Sequence, residues 1–506
     1  MTSDDAYIKL NGHNRLCIAT HNMEAFKALR KTFTYENPIA KYAGFGDPFL
    51  YGISPIGQFK TGLFTDIYIE AKKHFPNVYV DQEIINLIQP INDYTRVEEA
   101  SADLLPLPRE GFSYRQVQAN AIGKWLKFGR GVVELPTAAG KNILILGLAW
   151  NLKHLYKDIN RILICVPTTQ LVGQFVQEAR DFGLGEDFIS SYCTSQRTLL
   201  DSFCVVTNRQ FIEGKTATAK LQQLIDADFD CICVDEAHTL AARGAKIAKL
   251  LDRKFKAKLR FGCTATIPPE IYNQWELWGI VGPLLYRESI KTLQDQGQIS
   301  NLKINAVQFQ FNKSEIFKSG IYDLTEEQVT LAAKFQNELK WFAEHAKLKS
   351  ALANYLTKLS GNTLVLFDKL EYGRGLRDAL STMAGLDDIR VHYIDGQIAI
   401  ADRDDIKAIL ESSSNNILLA QHQTFGTGIN IKNLHNLVFA FYSKRSVKII
   451  QAIGRSLRLH SSKDLAKVYD ITSNLKYAQK HYKERVKVYK EAYGIEHIPT
   501  TIINIV

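Results

Sequence analysis

Leu135-Pro-Thr-Ala-Ala-Gly-Lys141 follows a short apolar run, and Asp235-Glu-Ala-His238 ends another run 94 residues beyond Lys141. A strand that enters a glycine-lysine turn and then a helix directs backbone N–H groups at a phosphate, and the helix dipole favours its negative charge. Carboxylates at the end of a second buried strand can hold Mg²⁺ and a water molecule. Together the two stretches predict an α/β protein with a parallel sheet, which hydrolyses a nucleoside triphosphate.

The composition is that of a globular protein with a basic balance. At 506 residues and 46% hydrophobic content, the chain has room for about three domains. Lys and Arg outnumber Asp and Glu by 62 to 53, and this charge suits a polyanionic partner without identifying one. The seven scattered cysteines fit reduced core residues. Because no apolar run approaches the ~18 residues of a membrane span and the acidic start lacks a signal core, we expect a soluble, cytoplasmic protein without membrane contact.

Three regions differ in pattern. Residues 1–105 mix short strand-like pieces with helical patterns, which predicts a small α+β domain, and Pro106 and Pro108 mark a linker. In residues 106–295 and again in 296–506, short apolar runs alternate with helical segments, a pattern typical of parallel sheets covered by helices. We therefore expect an α/β chain with two tandem doubly wound domains and a cleft between them. The strands predicted from these runs are 7–10, 16–19, 78–80, 131–135, 161–166, 204–207, 231–234, 259–264, 363–367, 391–393, 417–420, 437–441 and 466–470.

The predicted nucleotide site has one unusual position. Lys141 would contact the β and γ phosphates, Asp235 would hold Mg²⁺ through a water, and Glu236 would orient or deprotonate the attacking water. His238 would report the state of the nucleotide to neighbouring segments. Asn142 stands where a Ser or Thr hydroxyl usually ligates Mg²⁺, so its amide oxygen would reach the metal directly or through water, with altered affinity. An ordinary turn and a helix cap are the alternatives for the two stretches taken singly.

Two helical segments supply amide and guanidinium groups that could bind the nucleotide. Gln118 offers both a donor and an acceptor to an adenine edge, although a surface helix glutamine is the alternative. Gln451, Arg455 and Arg458 have helical i, i+4 and i+7 spacing, which places them on one face. Such an arginine, reaching across a cleft to the γ phosphate, is worth about 10³ to 10⁵ in rate. An exposed basic helix is the alternative for that segment.

An ordered series of motifs resembles the superfamily 2 helicases, and within them the UvsW helicases of tailed phages. The similarity runs from the amino-terminal domain to the carboxy-terminal Ile-Asn-Ile. The motifs are Arg115-x-x-Gln118, Thr137-Ala-Ala-Gly-Lys141, Pro167-Thr-Thr-Gln-Leu171, Asp235-Glu-Ala-His238, Thr264-Ala-Thr266, Thr424-Phe-Gly-Thr-Gly-Ile-Asn430 and Gln451 to Arg458.

The resemblance implies two RecA-like domains and a role for each matching residue. Gln118 would read adenine, Thr264 and Thr266 would couple hydrolysis to strand movement, and Arg455 and Arg458 would be the cross-cleft arginines. Asn430 replaces an acidic residue often found at its position. The nucleotide-binding set would be Arg115, Gln118, Pro136, Thr137, Ala138, Ala139, Gly140, Lys141, Asn142, Gly428 and Asn430.

The resemblance also implies where nucleic acid lies. One strand would cross both motor domains through phosphate contacts rather than base reading. Lys41 and Tyr42, on an aromatic Gly/Pro-rich loop, would engage duplex or branched DNA, unless these aromatics build a small core. Two basic runs, 246–260 and 476–490, have the composition of a phosphate-binding face, but a solvated helix surface is the favoured interpretation. The strand contacts would be Thr168, Gln174, Thr207, Gln210 and Thr424, each of which is alternatively a helix cap or turn hydroxyl.

These features lead to one functional hypothesis with two rivals. We expect a monomeric, ATP- and Mg²⁺-dependent 3′–5′ DNA helicase that remodels branched DNA by fork reversal, branch migration and removal of R-loops in phage recombination, replication and repair. Its partners would be single-stranded, duplex and branched DNA and RNA–DNA hybrids. An RNA helicase and a nucleotide-gated clamp that does not translocate remain open, the second because of Asn142.

Overall fold

The chain is described here from a computed structural model, which divides it into two compact units, Met1–Glu288 and Ser289–Val506. The division into three predicted domains stays a prediction. The residues described are 4–37, 40, 46–88, 104–193, 201–214, 218–242, 244–322, 331–383, 389–398, 400–422, 431–441 and 446–505.

The first unit begins with a four-stranded sheet of order β5-β2-β1-β6, in which β1 is antiparallel to β2 and parallel to β6. Alternation along β1 and β2 buries Ala6, Ile8, Leu16 and Ile18 in one core, as expected of a sheet with one covered face. We call residues 4–88 the amino-terminal module. Its elements are β1 (Ala6–Leu10), β2 (Arg15–Thr20), α1 (Met23–Thr32), β3 (Thr34–Glu36), β4 (Phe49–Tyr51), β5 (Gln58–Lys60), α2 (Phe64–His74), β6 (Val78–Val80) and α3 (Gln82–Ile88).

The rest of the first unit is a seven-stranded parallel sheet of order β13-β7-β12-β11-β8-β10-β9. Its central strands are buried along their length, as strands covered on both faces must be. Its elements are α4 (Gln116–Phe128), β7 (Arg130–Glu134), α5 (Lys141–Leu155), β8 (Ile162–Val166), α6 (Thr169–Asp181), β9 (Ile189–Ser191), β10 (Cys204–Asn208), α7 (Arg209–Glu213), α8 (Thr218–Asp226), β11 (Cys231–Asp235), α9 (Lys246–Arg253), β12 (Leu259–Thr264), α10 (Ile271–Val281) and β13 (Leu284–Arg287).

The second unit is built on another seven-stranded parallel sheet, of order β16-β17-β15-β18-β19-β14-β20. Its elements are α11 (Ile290–Asp295), β14 (Asn301–Gln310), α12 (Lys313–Lys318), α13 (Leu331–Glu344), α14 (Ala346–Leu356), β15 (Thr363–Phe367), α15 (Leu370–Met383), β16 (Arg390–Ile394), α16 (Ile400–Ser412), β17 (Asn416–Gln421), β18 (Asn436–Phe439), α17 (Ser446–Ser456), β19 (Leu465–Ser473), α18 (Lys476–Tyr493) and β20 (Thr500–Asn504).

The predicted fold class is confirmed: two parallel-sheet α/β domains follow a small α+β region. Every predicted strand is present, with ends that differ by at most three residues. Of the seven cysteines, all within the described ranges, six are buried and Cys17 is half-buried. No helix in these ranges is long and apolar enough to cross a membrane.

The amino-terminal module packs directly against α10 of the larger sheet. Trp275 lies in the same apolar cluster as the module's core, and its ring centroid is 5.6 Å from that of Phe33. A Cβ on Gly62 would lie 1.9 Å from the carbonyl oxygen of Trp278, so only glycine allows the two backbones to approach this closely. The module therefore shares a continuous core with the domain that follows it.

A buried polar cluster fixes the same junction. The Nδ2 of Asn14 donates to Asp252 Oδ1 at 2.9 Å, and Arg15 Nη2 forms an ion pair with Asp252 Oδ2 at 2.6 Å. Arg130 Nη2 donates to Asn14 Oδ1 at 2.7 Å, and neighbouring Arg260 donates to three backbone carbonyls. Burial lowers the pKa of both guanidiniums, whereas the charge of Asp252 raises it. Asp252 is thus the counter-charge for Arg130 and Arg260, which lie at the beginnings of strands β7 and β12.

Replacement of Asp252 by Asn should destabilise the first unit by about 3–5 kcal/mol, because it leaves buried guanidiniums without their counter-ion. Urea unfolding followed by tryptophan fluorescence would measure the change, since Trp125, Trp150, Trp275 and Trp278 lie in this unit. Asp181→Asn, at an exposed carboxylate, is the control and should change stability by less than about 0.5 kcal/mol. Equal stability of the two variants would show that the cluster does not hold the junction.

Candidate active site

The glycine-lysine loop lies at the carboxyl edge of the first parallel sheet. β7 ends at Glu134, a 3-10 turn covers Thr137–Ala139, and α5 begins at Lys141. Gly140 has φ 80°, a backbone angle that favours glycine, and a Cβ there would lie 2.7 Å from Gln118 Nε2 and would displace that amide. The strand, turn and helix therefore take the order that the sequence predicted.

Lys141 extends into this edge of the sheet rather than into solvent. Its side chain is 6% exposed, and its Nζ lies 3.6 Å from Glu236 Oε1, too far for a hydrogen bond. Burial lowers the pKa of Lys141, but attraction to Glu236 and Asp235 outweighs burial, so the pKa lies above its usual value. Within the described ranges, Lys141 Nζ and the nearby Thr137 Oγ1 and Thr266 Oγ1 are buried atoms without a hydrogen-bond partner.

The two carboxylates follow the central strand β11. Asp235 is its last residue, and burial together with the charge of Glu236 raises the pKa of the Asp235 carboxyl, whereas Lys141 lowers it. Glu236 has φ 50°, a left-handed backbone angle that is costly for a residue with a Cβ and is typical of functional sites. Cys263 on β12 donates to Asp235 Oδ1 at 3.7 Å. The structure thus brings Lys141, Asp235 and Glu236 together, as the sequence predicted.

A chain of contacts joins Glu236 to the segment after β12. His238 Nδ1 lies 3.3 Å from Glu236 Oε2 and 2.9 Å from Thr264 Oγ1. The hydroxyl of Thr264 in turn donates to the carbonyl of Thr266 at 3.1 Å. His238 therefore touches the acidic group on one side and the threonine pair on the other.

Asn142 has a partner that the sequence did not indicate. Its Nδ2 donates to Glu178 Oε2 at 2.8 Å, and Glu178 lies on α6. The contact orients the amide and places a third carboxylate beside the first turn of α5. Glu178 carries no motif signal because it reaches Asn142 only through the packing of α6 on α5.

Gln118 uses both of its polar groups within the chain. Its Oε1 accepts from the backbone N–H of Arg115 at 3.0 Å, and its Nε2 donates to the carbonyl of Ala139 in the loop at 2.9 Å. Arg115 donates to the carbonyl of Ala138 at 3.4 Å. The Arg115–Gln118 pair thus caps α4 and holds the phosphate loop, whereas its contact with adenine stays a prediction.

The predicted nucleic-acid contacts have varied surroundings. Thr168 is the N-cap of α6 and accepts from Leu171 N at 3.4 Å, Gln174 is half-buried on α6, and Gln210 is exposed on α7. Thr207 is fully buried on β10, so its hydroxyl does not lie at the surface. Their contacts with a nucleic-acid strand stay predictions. Lys41, Tyr42, Thr424, Gly428 and Asn430 lie outside the described residues.

In the second unit, the predicted arginine helix is shorter than the sequence indicated. α17 ends at Ser456, so Arg455 lies on it, half-buried, whereas Arg458 lies in the bend that follows. The predicted single helical face is therefore wrong for Arg458. The ammonium of buried Lys463 accounts for the early end, because it donates to the carbonyls of Ser456 and Leu434 at 2.7 and 2.6 Å. Gln451 lies on α17, and its side chain is outside the described part.

Two family models match the chain. "Type III restriction enzyme, res subunit" matches residues 111–269, and "Helicase conserved C-terminal domain" matches residues 346–460. The first match spans Gln118, Lys141, Asp235, Glu236 and Thr264, and the second spans Arg455 and Arg458.

Known proteins and a solved structure agree with these matches. The chain is 25% identical to the ATP-dependent DNA helicase UvsW of Enterobacteria phage T4 over 382 residues, 75% of this chain and 72% of UvsW. It is 32% identical to the DNA 3′–5′ translocase XPB2 of Sulfurisphaera tokodaii over 200 residues, 39% of this chain and 41% of that protein. The DNA-bound ATP-dependent Type ISP restriction-modification enzyme LlaBIII shares the fold, with TM-score 0.57, 13% identity, and coverage of 85% of this chain and 33% of that one. The chain is an ATP-driven DNA helicase of superfamily 2, and it resembles the UvsW helicases of tailed phages.

Proposed function

We propose that this helicase uses ATP with Mg²⁺ at the Lys141 site to move along one DNA strand in the 3′–5′ direction and to remodel branched duplexes. The observation that carries the proposal is the buried Lys141 ammonium, which faces Asp235 and Glu236 without a hydrogen-bond partner in the described ranges. The two carboxylates compensate the charge of the ammonium, but its N–H groups have no acceptor within hydrogen-bond distance in the described ranges, and an unpaired buried donor is costly. A triphosphate supplies the missing acceptors.

The residues around Lys141 fit a bound nucleoside triphosphate. The ammonium of Lys141 and the hydroxyl of Thr137 are buried donors without partners among described residues, at the start of a 15-residue helix whose dipole favours an anion. The left-handed Gly140 leaves the loop backbone open to a phosphate. Lys141 would hold the β and γ phosphates, as its predicted role requires.

The carboxylates have separate tasks. Asp235 would hold Mg²⁺ through a coordinated water, and Glu236 would orient the attacking water and accept its proton. When bound, Mg²⁺ would neutralise charge on the phosphate oxygens. Asn142, held by Glu178 at 2.8 Å, would face the metal in place of a hydroxyl, so a fixed amide replaces a rotating O–H at that position.

The contacts of His238 offer a route from hydrolysis to movement. Loss of the γ phosphate changes the charge beside Glu236, and His238 links Glu236 to Thr264 within 3.3 Å on either side. Thr264 in turn holds the carbonyl of Thr266. We infer that the series of contacts from Glu236 through His238 to Thr264 and Thr266 transmits the state of the nucleotide to the segment after β12.

The DNA tasks rest on resemblance to UvsW and to XPB2, a 3′–5′ translocase. The proposed tasks are fork reversal, Holliday-junction migration and R-loop removal during phage recombination, replication and repair. The enzyme would perform them as a monomer in the host cytoplasm. RNA–DNA hybrids would be further substrates. The strand contacts proposed are Thr168, Gln174, Gln210 and Thr424, with Lys41 and Tyr42 on duplex DNA and Arg455 and Arg458 on the γ phosphate.

Lys141→Ala or Glu236→Gln should abolish the conversion of labelled forks and four-way junctions, because each removes a charge that acts on the transferred phosphoryl group. ATP hydrolysis should fall about 10²-fold or more in either variant. Gel separation of the DNA species and phosphate release would measure the two losses. Lys124→Ala, at an exposed lysine on α4, is the matched control and should keep both activities.

Hydrolysis that survived both changes would refute the site. Stimulation of ATP hydrolysis by RNA but not by branched DNA would instead favour the RNA helicase. DNA binding that responds to ATP without turnover would favour the clamp.

Gln118→Ala should weaken the binding of ATP and of inorganic tripolyphosphate alike, by about tenfold, because it releases the loop carbonyl of Ala139 and leaves a buried acceptor unpaired. Calorimetric titration of both ligands would measure the losses. Gln116→Ala, on the exposed side of the same turn, is the control. If ATP alone lost affinity, Gln118 would act by reading adenine and not by holding the loop.

A further inference from the structure

Six cations, none of them among the residues assigned to ATP, lie between positions 246 and 258 of the first unit. We call Lys246, Lys249, Arg253, Lys254, Lys256 and Lys258 the basic strip, and all six side chains are exposed. Lys246, Lys249 and Arg253 have i, i+3 and i+7 spacing on α9 and therefore share a helical face. The opposite face of α9 contributes Ile247 and Leu251 to the apolar core.

The strip continues beyond the end of α9 with a different periodicity. Between 254 and 258, exposed lysines alternate with buried Phe255 and Ala257, as in an extended segment with one covered side. The helix and the extended segment thus expose cations only, while their apolar residues pack inward.

The charge of the strip is not neutralised by its surroundings. Lys249, Arg253, Lys254, Lys256 and Lys258 form no ion pair with any described residue, and Lys246 donates to the carbonyl of Glu213. The one acid in this stretch, Asp252, is buried and bound to Asn14 and Arg15 of the amino-terminal module. Six positive charges therefore face solvent beside the module.

The surroundings of these cations select the partner. The stretch 246–258 has one aromatic residue, Phe255, which is 2% exposed, so the strip offers no ring on which an unpaired base can stack. The apolar face of α9 is in the core and cannot insert into a lipid surface. A row of cations without stacking groups, on a backbone fixed by buried Ile247, Leu251 and Phe255, suits the regularly spaced phosphates of a duplex.

The other basic run, 476–490, is built differently. On α18, Arg485 is buried and forms a two-point ion pair with Asp470 at 2.8 and 2.6 Å. Lys487 pairs with Glu484, and Lys490 pairs with Glu496. This run stabilises the second unit and supplies exposed lysines for a matched control.

We propose that the basic strip binds the phosphate backbone of duplex DNA, separately from the strand on which the motor acts. The identity of this duplex as an arm of a branched substrate rests on the proposed function. The binding itself requires neither ATP nor translocation, since every group of the strip is charged and exposed without a ligand.

A triple variant, Lys249→Gln with Arg253→Gln and Lys256→Gln, tests the strip. Fluorescence anisotropy with a labelled blunt duplex of about 20 base pairs, without nucleotide and over a salt series, would give the Kd and its salt dependence. Loss of three phosphate contacts should weaken binding at least about tenfold at 0.1 M salt and reduce the slope of log K against log salt by about 2.7. Circular dichroism would check that the variant folds.

Two further triple variants separate local charge from other effects. Lys249→Arg with Arg253→Lys and Lys256→Arg keeps the charge and should bind duplex within about twofold of the unaltered protein. Lys480→Gln with Lys483→Gln and Lys487→Gln removes the same net charge from α18 and should also bind nearly unchanged. An unchanged Kd and slope in the strip variant, or an equal loss in the α18 variant, would overturn the proposal.

The result is independent of whether the enzyme remodels forks. If duplex binding depended on the strip while fork conversion was absent, the proposed DNA task would fail and the strip would stand. If forks were converted and the strip variant bound duplex normally, the strip proposal alone would fail.

Discussion

A buried ammonium facing two carboxylates is the interaction on which the active site depends. Lys141 lies 3.6 Å from Glu236, beside Asp235, and each of the three groups would be costly to bury alone. Parallel strands place the ends of β7 and β11 at one edge of a sheet, which is why residues far apart in sequence meet there. The remaining contacts of the site extend from this arrangement through His238, which contacts Glu236, and through Gln118, which holds the loop carbonyl of Ala139.

Apolar runs in the sequence predicted most strands of the two parallel sheets, whereas several short or alternating strands were not predicted. Strands such as β12 and β15 are buried throughout and were predicted at their observed bounds. β14 pairs with both β19 and β20, yet it alternates polar and apolar residues and was not predicted. Motif spacing located the catalytic residues. The contacts of Asn142 with Glu178 and of Gln118 with the loop depend on long-range packing, which spacing does not encode, and the end of α17 depends on Lys463.

Charged residues in one stretch of sequence serve different purposes in the structure. Within 246–260, Arg260 turns inward to bind three carbonyls and Asp252 holds the amino-terminal module, whereas the basic strip faces solvent. Composition alone cannot make this distinction, because burial decides it. Asp252 lies on α9, so the same helix that carries half of the strip also fixes the module in place. Asp252 therefore joins the module to the helix that carries the first half of the strip.

Hydrogen–deuterium exchange, with and without a non-hydrolysable ATP analogue and Mg²⁺, tests the central claim most directly. If the Lys141 cluster is a preformed triphosphate site, the analogue should slow the exchange of backbone amides at 137–144 and at 235–239. It should slow exchange much less along β9, at the far edge of the same sheet. Protection that was absent from both segments, or confined to other parts of the chain, would contradict the account.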